Sequence, residues 1–110
     1  MSSPFRPAAL EIEVDQVESA LAAGAVLLDV REGWEYRRLR VPGVRHLPMA
    51  QLPGSIDTLP RDKRILVICE HGNRSLAVAE YLHRLGFEGV ASVKGGTVAW
   101  ARSDRPVERG

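Results

Sequence analysis

The run Arg64-Ile65-Leu66-Val67-Ile68 constrains this chain most: an unbroken apolar, β-branched series between charges describes a strand covered on both faces. A second run over residues 25–30, interrupted only by Asp29, reads the same way. Strands buried on both sides need helices above and below them. They are joined by crossovers, which makes them parallel. The intervening segments supply helical patterns, so the chain is expected to be α/β, with its ligand site at the carboxyl ends of the strands.

The first helix is expected over residues 15–23. Asp15 and Glu18 would form a capping box, Val17, Ala20 and Leu21 an apolar face, and Gly24 the stop. Residues 32–38 suit a short helix in which Arg31 and Glu35 pair at i, i+4. Pro42 and Pro48 frame a brief strand-like piece, and residues 53–60 form a loop or a single helical turn. Leu76, Ala79, Leu82 and Leu85 lie at helical spacing over residues 75–85, with Gly86 as the cap. Residues 90–93 read as a further strand, and Gly95-Gly96 opens a last turn running through Trp100. Residues 1–7 read as a tail before one domain, residues 8–110, and the polar end from Ser103 closes against the domain surface.

With 110 residues, a net charge of +1 and 26% charged side chains, the composition is that of one ordinary globular domain. Arginines are interspersed with acids, so no nucleic-acid footprint is expected, and Arg37-Arg38-Leu39-Arg40 reads as a solvated helix end. No apolar run approaches the roughly 20 residues that span a bilayer. A single cysteine excludes an internal disulfide, and a reduced, cytoplasmic protein is the expectation. The histidines and the cysteine lack metal-ligand spacing, and no cofactor motif is visible.

That cysteine, Cys69, stands where the strongest strand ends and a helical pattern begins, within Cys69-Glu70-His71-Gly72-Asn73-Arg74-Ser75. A lone cysteine is usually an inert core residue. At the mouth of a strand–loop–helix turn, however, it faces backbone N–H groups and the positive end of a helix, the partners an anionic sulfur needs. Gly72 allows a tight turn around the sulfur, and Arg74 offers a planar fork to an oxyanion. His71 either tunes Cys69 or contacts substrate, or else is a solvated bystander. Asp29 orients the loop or caps the following helix. Trp34 and Trp100 read as core or rim packing, and His46 and His83 as structural or exposed.

The chain resembles the single-domain rhodaneses. The likeness rests on Leu28-Asp29-Val30-Arg31 with Glu35-Tyr36, Pro42-Gly43-Val44 leading to Leu47-Pro48, the six-residue loop opened by Cys69, and Lys94-Gly95-Gly96 with Ala99-Trp100. The resemblance implies a central, mainly parallel five-stranded sheet with helices on both faces. It also implies a sulfurtransferase without cofactor, in which Cys69 attacks a donor such as thiosulfate, holds the sulfur as a persulfide and passes it to a thiol, cyanide or a protein acceptor. It makes Glu70 to Ser75 the active-site loop, with Asp29 and Arg31 as its support. Two departures stand out. Glu70 occupies a position often basic in thiosulfate enzymes, where it either repels anionic donors or points outward. Leu39-Arg40-Val41 replaces the usual Gly-His before the Pro-Gly stretch.

Two other readings remain open. A phosphatase or arsenate reductase of related type would use the same cysteine and arginine, but its loop is C-x5-R, whereas Cys69 to Arg74 is C-x4-R, suited to a smaller group. A non-catalytic binding module on the same fold would commonly have lost the cysteine. With no second cysteine, stored sulfur needs an external acceptor.

Overall fold

The computed structural model describes residues 10–110; the expected tail, residues 1–7, lies outside them. In chain order the elements are β1 (Glu11–Ile12), α1 (Val14–Ala22), β2 (Val26–Asp29), α2 (Gly33–Arg38), β3 (Leu39–Arg40) and β4 (Arg45–His46). Two 3-10 turns follow (Met49–Gln51 and Pro53–Thr58), then β5 (Ile65–Ile68), α3 (Asn73–Arg84), β6 (Ala91–Val93), α4 (Gly96–Arg102) and β7 (Glu108–Arg109).

Five strands form one sheet in the order β1-β6-β5-β2-β4, every pair parallel. The expected α/β fold is the observed one. The two runs that announced it, β2 and β5, are neighbours near its centre, with Val26 opposite Ile65 and Asp29 opposite Ile68. They end level, so Cys69 and Arg31 leave the sheet at the same edge.

Alternation along these strands sorts side chains onto two faces. Leu28, Val67, Cys69, Val78 and Leu82 pack in one cluster, under α3. Leu27, Leu66, Ile68, Val17 and Trp100 pack in the other, under α1 and α4. The nucleophile candidate therefore belongs to the α3 side. No helix among the described residues is long and apolar enough to cross a membrane.

Three expectations are corrected. Helix α1 is capped by Glu13, whose N–H donates to the Gln16 side chain at 3.2 Å, and not by Asp15 with Glu18. Pairing decides this: β1 runs beside β6 until Lys94 N–H donates to Ile12 C=O, and the chain turns helical at once. Trp34 is 58% exposed, so it is no core residue and instead lies under the Arg38 guanidinium, while Trp100 is buried as expected. The polar end does close the domain, but as a strand, β7, antiparallel to β3.

Candidate active site

Beyond Ile68 the chain turns through Gly72, at φ +101°, and enters α3 at Asn73. The positive φ favours glycine, and a Cβ there would sit a tight 3.1 Å from the Gly95 nitrogen. The turn wraps the sulfur. Gly72 N–H and Ser75 N–H each donate to Cys69 Sγ at 3.2 Å, and the Ser75 hydroxyl lies 3.3 Å from it.

The loop carbonyls point elsewhere because α4 claims them. Thr97 N–H donates to Cys69 C=O at 2.8 Å and Val98 N–H to Glu70 C=O at 3.2 Å. These are N–H groups of the first turn of α4, which have no partner within their own helix. So close an approach leaves no room at Gly96, where a Cβ would run into the carbonyl oxygens of Cys69 and Glu70. Cys69 is only 1% exposed, yet what surrounds its sulfur is donors. Burial among amides raises the electrostatic value of each donor toward a negative sulfur.

Beneath the loop lies a buried ionic network. Arg31, itself 1% exposed, donates to both Asp29 oxygens (Nε–Oδ1 3.0 Å, Nη2–Oδ2 2.8 Å), to Glu70 Oε1 at 3.2 Å and to Leu39 C=O at 2.6 Å. Burial works against its charge, but the Asp29 hydrogen bonds and the fields of Asp29, Glu70 and Glu35 outweigh it and raise its pKa. The pairing of Arg31 with Glu35 expected from i, i+4 spacing does not form. Glu35 instead receives the whole fork of Arg74, both contacts at 2.8 Å. These Arg74 hydrogen bonds hold the Glu35 carboxyl at about 2, against 4.5 ordinarily, although burial opposes the shift. Arg74 is raised in turn, by the Glu35 hydrogen bonds first.

Two loop expectations change with this network. Arg74 is committed to Glu35 and does not present a free fork to an oxyanion. Glu70 neither points outward nor stands as a bare negative charge, since Arg31 and the Thr97 hydroxyl, each at 3.2 Å, hold its carboxylate. Arg31 reaches the loop at Glu70, whereas the hydrogen bonds of Asp29 go to Arg31 and not to the loop itself. His71 and Asn73 are exposed on the rim. His46 is structural: its Nε2 lies 2.9 Å from Arg31 C=O, and its ring stacks on Tyr36.

Two shallow depressions flank the loop. One of about 390 Å³ is lined by Arg31, Arg38, Arg102 and Arg109 against a single acid, Glu70. The other, of about 470 Å³, adjoins His71 and shares Val98 and Arg102 with the first. Arg38 is thus part of a positive rim and not merely a solvated helix end. Among the described residues no group of three or more His, Cys, Asp or Glu is placed to hold a metal.

Sequence reasoning missed Glu35, Thr97 and Ser92 as parts of this site. Ser92 carried a faint signal, as the one hydroxyl in the apolar strand Ala91–Val93. Its Oγ lies 2.7 Å from Ser75 Oγ, with both residues fully buried.

Comparison with known proteins places these features in context. A family model described as Rhodanese-like domain matches residues 13–103. The chain is 40% identical over 86 residues to the thiosulfate sulfurtransferase GlpE of Glaesserella parasuis serovar 5, spanning 78% of this chain and 80% of that one. It is 30% identical over 99 residues to a sulfurtransferase of Allochromatium vinosum, spanning 88% of this chain and 92% of that one. Among solved structures, a rhodanese-related protein from Thermoplasma volcanium superposes with a TM-score of 0.82 at 34% identity, covering 89% of this chain and 96% of that one.

Proposed function

Given that the chain belongs to the rhodanese-like domain family, we propose that it is a sulfurtransferase carrying sulfane sulfur on Cys69. Ionised Cys69 attacks the outer sulfur of a donor such as thiosulfate. The bond to the sulfonyl sulfur breaks, sulfite leaves with the electron pair, and a persulfide remains on Cys69. An acceptor thiolate, cyanide or a partner protein's thiolate then attacks the outer sulfur, and the electron pair of the broken S–S bond returns to Sγ.

The observation that carries this reading is the cradle: two backbone N–H groups at 3.2 Å from Sγ, with the Cys69 and Glu70 carbonyls turned away onto α4. It stabilises negative charge on the sulfur at both ends of the cycle. Around the neighbouring depression Arg31 is offset by its own carboxylate partners, but Arg38, Arg102 and Arg109 leave cations in excess and add a positive field for an anionic donor. The C-x4-R spacing from Cys69 to Arg74, one residue short of the phosphatase loop, weighs against a phosphatase.

Incubation with thiosulfate is expected to add one sulfur to the intact mass, and Cys69→Ser to add none. Because Cys69 is the chain's single cysteine, the sulfur should stay bound until a thiol or cyanide is added. Release without any acceptor, or sulfur uptake by the serine variant, would contradict the proposal. Parallel trials with 3-mercaptopyruvate and an aryl phosphate test the donor and the reaction class.

A further inference from the structure

Ser92 lies in the middle of β6, fully buried, at a position where packing alone asks for an apolar residue. Its hydroxyl has two neighbours: Ser75 Oγ at 2.7 Å and Gly72 C=O at 3.5 Å. Ser75 Oγ in turn lies 3.3 Å from Cys69 Sγ. Cys69, Ser75 and Ser92 therefore form one hydroxyl chain that ends on the sulfur.

A hydroxyl has one hydrogen to give, so this chain has two directions. In one, the Cys69 thiol donates to Ser75, Ser75 to Ser92, and Ser92 to the Gly72 carbonyl, whose 3.5 Å separation makes it a poor acceptor. In the other, Ser92 donates to Ser75 and Ser75 donates to the sulfur. A negative charge on the sulfur favours the second direction, because the hydrogen bond to it is then charge-assisted.

We propose that Ser92 is a positioning residue for sulfur transfer: it holds the Ser75 hydroxyl hydrogen on Cys69 Sγ, giving the departing thiolate a third donor beside the Gly72 and Ser75 amides. The inference rests on the persulfide reading above. In the discharge step the acceptor thiolate bonds to the outer sulfur, the S–S bond breaks, and its electron pair settles on Sγ. Charge on that atom grows as Ser75 O–H, itself receiving the Ser92 hydrogen, points at it. No proton needs to leave the chain; the two hydroxyls only rotate.

The test is a mutant cycle on purified protein loaded with thiosulfate, with discharge to cyanide followed in single turnovers. Ser92→Ala is expected to slow discharge at saturating cyanide about tenfold, with the half-saturating cyanide concentration unchanged within about twofold. Ser75→Ala should slow it at least as much, and the double variant no more than Ser75→Ala alone, because Ser92 acts only through Ser75. Ser92→Thr, which keeps the hydroxyl, should recover most of the rate. Additive losses, or a Ser92→Ala rate equal to wild type with an unchanged melting temperature, would overturn the proposal. Alkylation of Cys69 by iodoacetamide at fixed pH gives a second reading that needs no persulfide, and the same non-additive pattern is expected there. If wild type takes up no sulfur, the functional reading fails, while the alkylation pattern still decides for or against Ser92.

Discussion

Arg31 is the side chain on which the ionic floor of the site turns. It is buried with Asp29 at one end and Glu70 at the other, so Arg31→Met would leave the buried Asp29 carboxylate without its cation and Glu70 with only the exposed Arg38, at 3.8 Å. Breaking a buried pair in this way costs about 3–5 kcal/mol, and denaturant titration should show a loss of that size together with slower sulfur uptake. Glu35 governs acid sensitivity. Its folded-state value of about 2 lies below the ordinary 4.5, so the fold favours the ionised form. The stability this pair contributes is complete above about pH 4.5 and is lost as pH falls toward about 2. Because Arg74 is partly exposed, the contribution is on the order of 1–2 kcal/mol. Thermal melts should therefore fall less steeply between these limits in Glu35→Gln than in wild type. The i, i+4 spacing of Arg31 and Glu35 misled because that geometry requires both residues on one helix. Helix α2 begins only at Gly33, leaving Arg31 in the preceding turn, where it reaches back to Asp29.

Two helices built the cradle, and only one was legible in advance. Helix α3 was legible from its apolar spacing, although it begins at Asn73 and not at Ser75 as expected, and its first turn supplies the Ser75 N–H to the sulfur. Helix α4 was expected as a closing turn, yet its first turn holds the loop carbonyls away from the sulfur. No local pattern reveals that, because the bonded residues, Cys69 with Thr97 and Glu70 with Val98, are far apart in the chain and meet only because β5 and β6 pair. Gly96→Ala tests the contact. The added methyl collides with the carbonyls of Cys69 and Glu70, so loop and helix must separate. We expect sulfur uptake to fall at least tenfold, with a melting temperature several degrees lower, consistent with an overpacking penalty of about 1–3 kcal/mol. Intact-mass uptake and calorimetry check the two effects separately.

The last described residues fasten the fold by a strand that sequence patterns could not announce. β7 has two residues and pairs with the two of β3, and Pro106 C=O accepts the indole N–H of buried Trp100 at 2.8 Å. Deleting residues 104–110 should leave that N–H without its partner, lower stability by about 1–3 kcal/mol, and shift the indole emission to longer wavelength, as fluorescence during thermal unfolding would record. Strands β1, β3 and β7 are too short for periodicity to register. The long apolar runs, β2 and β5, did register, because burial on both faces leaves a continuous hydrophobic signature in the chain itself. Composition and local pattern thus established a two-faced parallel sheet and a cysteine at its carboxyl edge. Which cation meets which carboxylate, which hydroxyl reaches the sulfur and which way the loop carbonyls face were settled by packing alone, since charges and hydrogen-bond donors find their partners by distance in space and not by separation along the chain.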